Sequence, residues 1–161
     1  MAAPRFLLVN PWIHDFAAYN LWMRPLGLLS LHSFLRENGC RVEFIDALHL
    51  SDDDADAHGL VPPKRRGDGR GKFHCERIPE PEVYERIPRH YKRYGVPPVL
   101  LDERLAAVGP PDCILVTSGM TYWYTGLQET IDHLRQAFGT IPIFLGGTYA
   151  TLCTRHARDN S

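Results

Sequence analysis

This 161-residue sequence has no hydrophobic run long enough to cross a bilayer, a span that takes about 20 mainly apolar residues in a helix. Its opening, MAAPRFLLVNP, also lacks the succession of basic, apolar and small residues that marks a secretory signal. Both absences point to a cytoplasmic protein with no membrane partner. A dominant charge is missing as well. With 18 Lys and Arg against 19 Asp and Glu, the formal charge is -1, so no overall field recruits nucleic acid. The four cysteines (Cys40, Cys75, Cys113 and Cys153) form no Cys-x-x-Cys pair. They read as buried or incidental thiols rather than as a metal or disulfide set.

Several familiar chemistries are missing too. The first apolar run, RFLLVN, is followed by NPWIHDF, which is neither the G-x-G-x-x-G dinucleotide fingerprint nor a hydroxyl-rich flavin-phosphate loop. A phosphoacceptor receiver needs an aspartate at the end of its third strand and an acidic pair after its first. Here those places hold Thr117-Ser118 and Asn10-Pro11. GRGKF follows no strand, so it is no phosphate loop. Nowhere does a nucleophile stand beside a base in a way that identifies a catalytic pair.

What is present is an alternation of strands and helices. RFLLVN (5–10) is a short continuous apolar run, as a strand covered on both faces requires. RPLGLLSLHSFLRENG reads as a helix, with Pro25 near its first turn, Gly39 past its end, and Leu28, Leu31 and Leu35 on the core side. RVEFIDA (41–47) is a second strand. VLLDERLAAVG is a short helix with Leu101, Leu105 and Val108 facing the sheet, and a third strand runs from about Cys113 to Thr117. TGLQETIDHLRQAFG repeats Leu127, Ile131, Leu134 and Phe138 at helical spacing, IPIFLGG is a fourth strand, and TYATLCTRHARDN opens another helix. The pattern predicts an α/β fold with a doubly wound parallel sheet, in the flavodoxin-like or Rossmann-like order 2-1-3-4, and helices on both faces.

The expectation is a single domain over 1–161, interrupted at about 48–98. The interruption holds an acidic run (Asp52, Asp53, Asp54, Asp56), the basic KRRGDGRGK and the aromatic IPRHYKRYGVPP. Residues 50–72 read as a loosely packed surface loop, and the part around Tyr91, Arg93 and Tyr94 as ordered. The chain stops within its last helix, where such a fold normally adds a fifth strand, so a piece of a longer protein is expected.

In an open parallel sheet, ligands bind beyond the carboxyl ends of the strands, where the strand order reverses. That edge is built from NPWIHDF, TSGMTYWYTG and GGTYAT. Two small-residue gaps stand there, Ser118-Gly119 and Gly146-Gly147. Glycine lets a ligand lie against the backbone, and a serine hydroxyl can hydrogen-bond to it. Such a gap suits a bulky, largely neutral group. Helix starts and turns also use these residue types.

The segments LLVNPW, RPLGLLSLHSFLRENGCRVEFIDA, IPRHYKRYGVPP, ILVTSGMTYWYTG and PIFLGGTYAT, in this order, resemble the N-terminal cobalamin-binding domains of radical S-adenosylmethionine proteins. Cobalamin-binding domains carry D-x-H-x-x-G after the first strand, S-x-L after the third and G-G after the fourth. Ser118-Gly119-Met120 and Gly146-Gly147 correspond to the second and third, separated by residues 121–145, close to the family's spacing. The first is absent, because His14 precedes Asp15; DADAHG (54–59) is a near-match lying inside the interruption. The resemblance therefore implies base-off, histidine-off cobalamin, with Asn10, Pro11, Trp12, Thr117, Ser118, Gly119, Met120, Tyr122, Gly146, Gly147 and Thr148 as binding residues. It implies that the nucleotide tail passes between the third and fourth strand ends, with Trp12 and Tyr122 or Trp123 near the corrin. His14 is expected exposed in a polar loop and off the metal, and no residue of the chain is expected to be catalytic or to ligate a metal. The resemblance places the iron–sulfur cluster and S-adenosylmethionine in a following barrel domain of the same parent chain, which would be the partner of this one. A cofactor-less docking or nucleotide-sugar-binding lobe of the same fold is the alternative.

Overall fold

The structure is a computed structural model that describes residues 2–160. Its first strand, β1 (Arg5–Asn10), is buried over its last four residues, and Pro11, with no N–H to donate, ends the ladder. Two short strands follow, β2 (Ile13–Asp15) and β3 (Tyr19–Asn20), then helix α1 (Leu26–Glu37) and β4 (Arg41–Asp46). The interruption holds α2 (Asp52–Ala57), β5 (Gly71–Lys72), β6 (Cys75–Arg77) and β7 (Lys92–Tyr94). The rest comprises α3 (Pro98–Ala107), β8 (Cys113–Val116), α4 (Tyr124–Phe138), β9 (Ile143–Leu145), α5 (Thr148–Leu152) and α6 (Thr154–Asn160). Where one C-terminal helix is expected there are two, broken at Cys153.

Strands β4, β1, β8 and β9 form one sheet in that order, and every pair is parallel. Side chains alternate between the faces of a strand. Leu7, Val9, Ile45, Ile114 and Val116 therefore share one face, packed with Leu101 and Leu105 of α3 and Leu127, Ile131 and Leu134 of α4. Leu8 of β1 and Leu28 of α1 are also buried. The protein is thus a mixed α/β fold around a four-stranded parallel sheet. The stripe expected on α1 is narrower than its spacing implies. Leu28 is buried but Leu31 is 47% exposed, and Phe144 of β9 is 63% exposed.

The interruption is a loose loop only in part: residues 61–69 are mainly exposed, but the segment before them is packed. Leu50 and Ala55 lie in the main core. The acidic run becomes a helix because Ser51 caps it: Ser51 Oγ accepts from the Asp54 amide at 3.1 Å and donates to the Asp54 carboxylate at 2.6 Å. Asp52, Asp53 and Asp54 then stand in the first turn, where negative charge suits the helix dipole. Further on, β2, β7 and β6 form an antiparallel sheet, and β3 pairs with β5.

A partly buried ionic network ties this second sheet to α4. Arg93 of β7, buried, donates to Glu129 of α4 at 2.6 Å and to Glu76 of β6 at 2.7 Å. Its guanidinium lies over the Trp12 ring, 5.1 Å from the centroid. The excursion also closes on itself, since the Val96 amide donates to the Ala47 carbonyl at 2.8 Å. At this crossing Gly95 has φ 125°, and a side chain there would run into the Ala47 carbonyl and, at 2.7 Å, into Trp12. Among the described residues no helix is long and apolar enough to cross a membrane.

Candidate functional site

The turn after β9 sits directly on the turn after β8. Ser118, buried, donates its hydroxyl to the Gly146 carbonyl at 2.6 Å and accepts from the Ala150 amide at 3.3 Å. Its carbonyl accepts from the Thr148 amide at 3.0 Å. Gly147, at φ 89°, is a glycine because of this contact: a Cβ would strike the Ser118 carbonyl and lie 2.7 Å from its amide nitrogen. Gly146 differs, since a Cβ there would meet nothing within 4 Å. Ser118 and Gly147 thus serve the approach of two protein turns. The passage expected between the third and fourth strand ends is closed by Ser118.

The open space lies one strand over. A cavity of about 440 Å³ stands beyond the carboxyl ends of β1 and β8. These neighbours are the point from which the chain runs outward to β4 and then crosses back, the place where ligands bind in open α/β sheets. Its walls come from three places expected in the sequence: Asn10, Pro11 and Trp12 after β1; Thr117, Ser118, Gly119 and Met120 after β8; Gly147 and Thr148 after β9. Tyr122 and Gly146 are not on its wall; both are exposed. The opposite wall, Met23, Arg24, Pro25, Leu26 and Gly27 with Leu48 and Tyr149, has no counterpart in the expected set. MRPLG reads from sequence only as a helix start, and nothing in its spacing shows that the start overhangs the sheet edge.

Not every wall residue is free to meet a ligand. Trp12 is 1% exposed, and its indole N–H donates to the Val96 carbonyl at 2.8 Å. Its ring is a core element, pinned by Arg93 on one side and by the His133 ring edge, 5.1 Å away. The Asn10 amide donates to Asp46 at 2.8 Å. The aromatic run is similarly divided. Trp123 donates to the Asp15 carboxylate at 2.8 Å, Tyr124 stacks on Tyr149 at 6.0 Å, and Tyr122 alone of the three is exposed.

His14 is not in an exposed loop. It lies in β2, buried, with Nε2 2.7 Å from a Glu129 carboxylate oxygen, because β2 pairs with β7 and turns it toward α4. Burial would raise the Glu129 carboxyl, but the His14 hydrogen bond and the Arg93 charge outweigh it and hold the group below its ordinary value. Among the described residues no histidine is on the cavity wall, and Arg24 is its single charged side chain. Among the described residues no group of three or more His, Cys, Asp or Glu is gathered to hold a metal ion. Comparison with protein families, with curated proteins and with solved structures finds no match.

Proposed function

We propose that the chain is a cobalamin-binding domain with a doubly wound, flavodoxin-like sheet, holding the cofactor base-off and histidine-off. One observation carries the reading: the cavity at the β1–β8 switch point is lined by apolar and small residues, two threonines and one cation. A ligand suited to these walls is mainly neutral and carries a single negative charge. The nucleotide tail of cobalamin has that character, with a flat apolar base, a ribose and one phosphodiester. A volume of about 440 Å³ falls within the ~300–1,000 Å³ that accommodates a drug-sized group. It suits the tail and not the whole cofactor, so the corrin would rest outside, against Leu26 and Met120, each about half exposed or more. Arg24 would face the phosphodiester, while Thr117 and Thr148 would offer hydroxyls to the ribose.

Bound cobalamin supplies a cobalt centre able to carry a methyl group. The chain's own residues bind and orient it, and His14 stays on Glu129. On this reading the iron–sulfur cluster and S-adenosylmethionine belong to a barrel domain of the same parent chain, and this domain has no turnover by itself. A nucleotide-sugar, with two phosphates, would leave one of them unmatched by Arg24. The test is to mix the protein with hydroxocobalamin, desalt it and record the visible spectrum. A retained base-off spectrum, lost on Arg24→Glu with Thr117→Trp, is the expected result. Complete loss of colour from the unmodified protein refutes the reading and leaves the docking lobe in its place.

A further inference from the structure

The basic segment KRRGDGRGK takes no part in the cavity at the sheet edge. It folds into a hairpin, with the Arg66 amide donating to the Arg70 carbonyl at 2.6 Å and an antiparallel bridge between Arg65 and Gly71. This hairpin and β3 enclose a second cavity of about 540 Å³. Lys64, Arg65, Arg66, Arg70 and Lys72 all line it, with no carboxylate on the wall. Among the described residues Arg70 alone of the five has an acidic partner, Asp68 at 2.6 Å, and Arg65 donates to the Leu50 carbonyl at 3.3 Å. Among the described residues Lys64, Arg66 and Lys72 have no ion pair or side-chain hydrogen bond.

A run of cations on a solvated surface usually spreads out to reduce its own repulsion. Here the hairpin gathers five around one concavity, in a protein whose formal charge is -1, so the local field is strongly positive although the molecule as a whole is not. Four of the five, all but Arg70, have no acidic partner among the described residues; cations gathered in this way favour a ligand bearing several negative charges, and guanidinium groups match phosphate oxygens in geometry. The remaining wall is mainly apolar, with His74 and Cys75 beside Tyr19, Leu21, Val61 and Phe73, and two of its residues are accessible, Tyr19 54% and Leu21 56% exposed. We propose that this cavity binds a small polyphosphate ester, a nucleoside di- or triphosphate in class. Its phosphates lie on Lys64, Arg66 and Lys72, and its organic group lies against Tyr19 and Leu21. The site is separate from the cavity at the sheet edge and does not depend on cobalamin binding.

The test is a titration of the full chain with ATP and, separately, with inorganic tripolyphosphate, without cobalamin. Heat and tryptophan fluorescence are both followed. Trp22 reports on the hairpin, because its indole N–H donates to the Asp68 carbonyl at 2.9 Å and Arg70 lies 5.3 Å over its ring. Saturable binding of both probes is expected. The combined Lys64→Gln, Arg66→Gln and Lys72→Gln variant should bind each at least tenfold more weakly with an unchanged melting temperature, since all three side chains are exposed. Tyr19→Ala should weaken ATP several-fold and leave tripolyphosphate as it was. Independently of any variant, raising NaCl from about 50 to about 500 mM should weaken both probes sharply, as screening shortens the reach of the field. The proposal is overturned if ATP shows no saturable binding, if only long polyanions such as heparin bind, or if the triple variant keeps wild-type affinity. ATP binding that ignores Tyr19→Ala would equally remove the nucleotide assignment.

Discussion

Replacing Gly147 by alanine separates the two glycines after β9. At φ 89° and ψ -170° an alanine enters a region almost reserved for glycine, at a cost of about 1–2 kcal/mol. Its Cβ also runs into the Ser118 backbone, so the β9–α5 turn must lift away. That movement removes two hydrogen bonds, Thr148 N–H to the Ser118 carbonyl and the Ser118 hydroxyl to the Gly146 carbonyl, each contributing about 1 kcal/mol. The total is about 3–4 kcal/mol, a large part of the ~5–15 kcal/mol that holds a typical domain folded. Gly146→Ala meets nothing within 4 Å and should shift stability by less than about 0.5 kcal/mol. Urea unfolding measures both. With a slope of about 2 kcal/mol per molar urea, the Gly147→Ala midpoint should fall by about 1.5–2 M while Gly146→Ala stays with the wild type. If both alanines are equally mild, or Gly146→Ala is the worse, then the two turns do not press together as described. The glycine pair would then have to be explained by a ligand instead.

Other substitutions probe the remaining contacts. Glu129→Gln leaves His14 and Arg93 short of a charged partner and should cost about 2–3 kcal/mol in chemical denaturation. Because the Glu129 carboxyl is held below its ordinary 4.5, its contribution is complete above that pH and is lost as the pH falls through the lowered value. Wild-type stability should therefore drop more steeply below about pH 4.5 than that of Glu129→Gln, as acid melts at successive pH values will show. Trp12→Phe strands the Val96 carbonyl in the core and should cost about 2–4 kcal/mol, read as a lower melting temperature. Ser118→Phe has no room between Gly146 and Ala150 and should accumulate as insoluble protein, whereas Ser118→Ala should be soluble and less stable by about 1–2 kcal/mol.

The strands and long helices were legible because burial imposes a period on them. Leu127, Ile131 and Leu134 recur on α4 since one side of it must cover β1 and β8, and a reader of the sequence sees the stripe directly. Leu31 failed by the same rule. Spacing shows which residues share a helix face but not how far a sheet extends beneath them. The sheet edge was legible as a location, because strand order alone determines where the switch point lies. Its interior was not: Ser118 and Gly147 look the same in sequence whether they face a ligand or each other. His14 and Arg93 were illegible as partners, since their meeting with Glu129 depends on β2 pairing with β7 across nearly the whole excursion. No local pattern encodes so distant a contact.

The crossing at Gly95 sets the terms on which the excursion can be exchanged. Its two ends meet at one amide–carbonyl pair, Val96 to Ala47, so the strands of the parallel sheet do not dictate how much chain lies between them. Lengthening a closed loop adds little, since each doubling costs only about 0.6 kcal/mol. A lineage could therefore lengthen or shorten the excursion, so long as it still fills the core places of Leu50 and Ala55, still meets Glu129, and returns with a residue lacking a side chain opposite Ala47. Whatever the excursion recognises can vary on this account, while the pocket at the sheet edge keeps the same β1 and β8 beneath it.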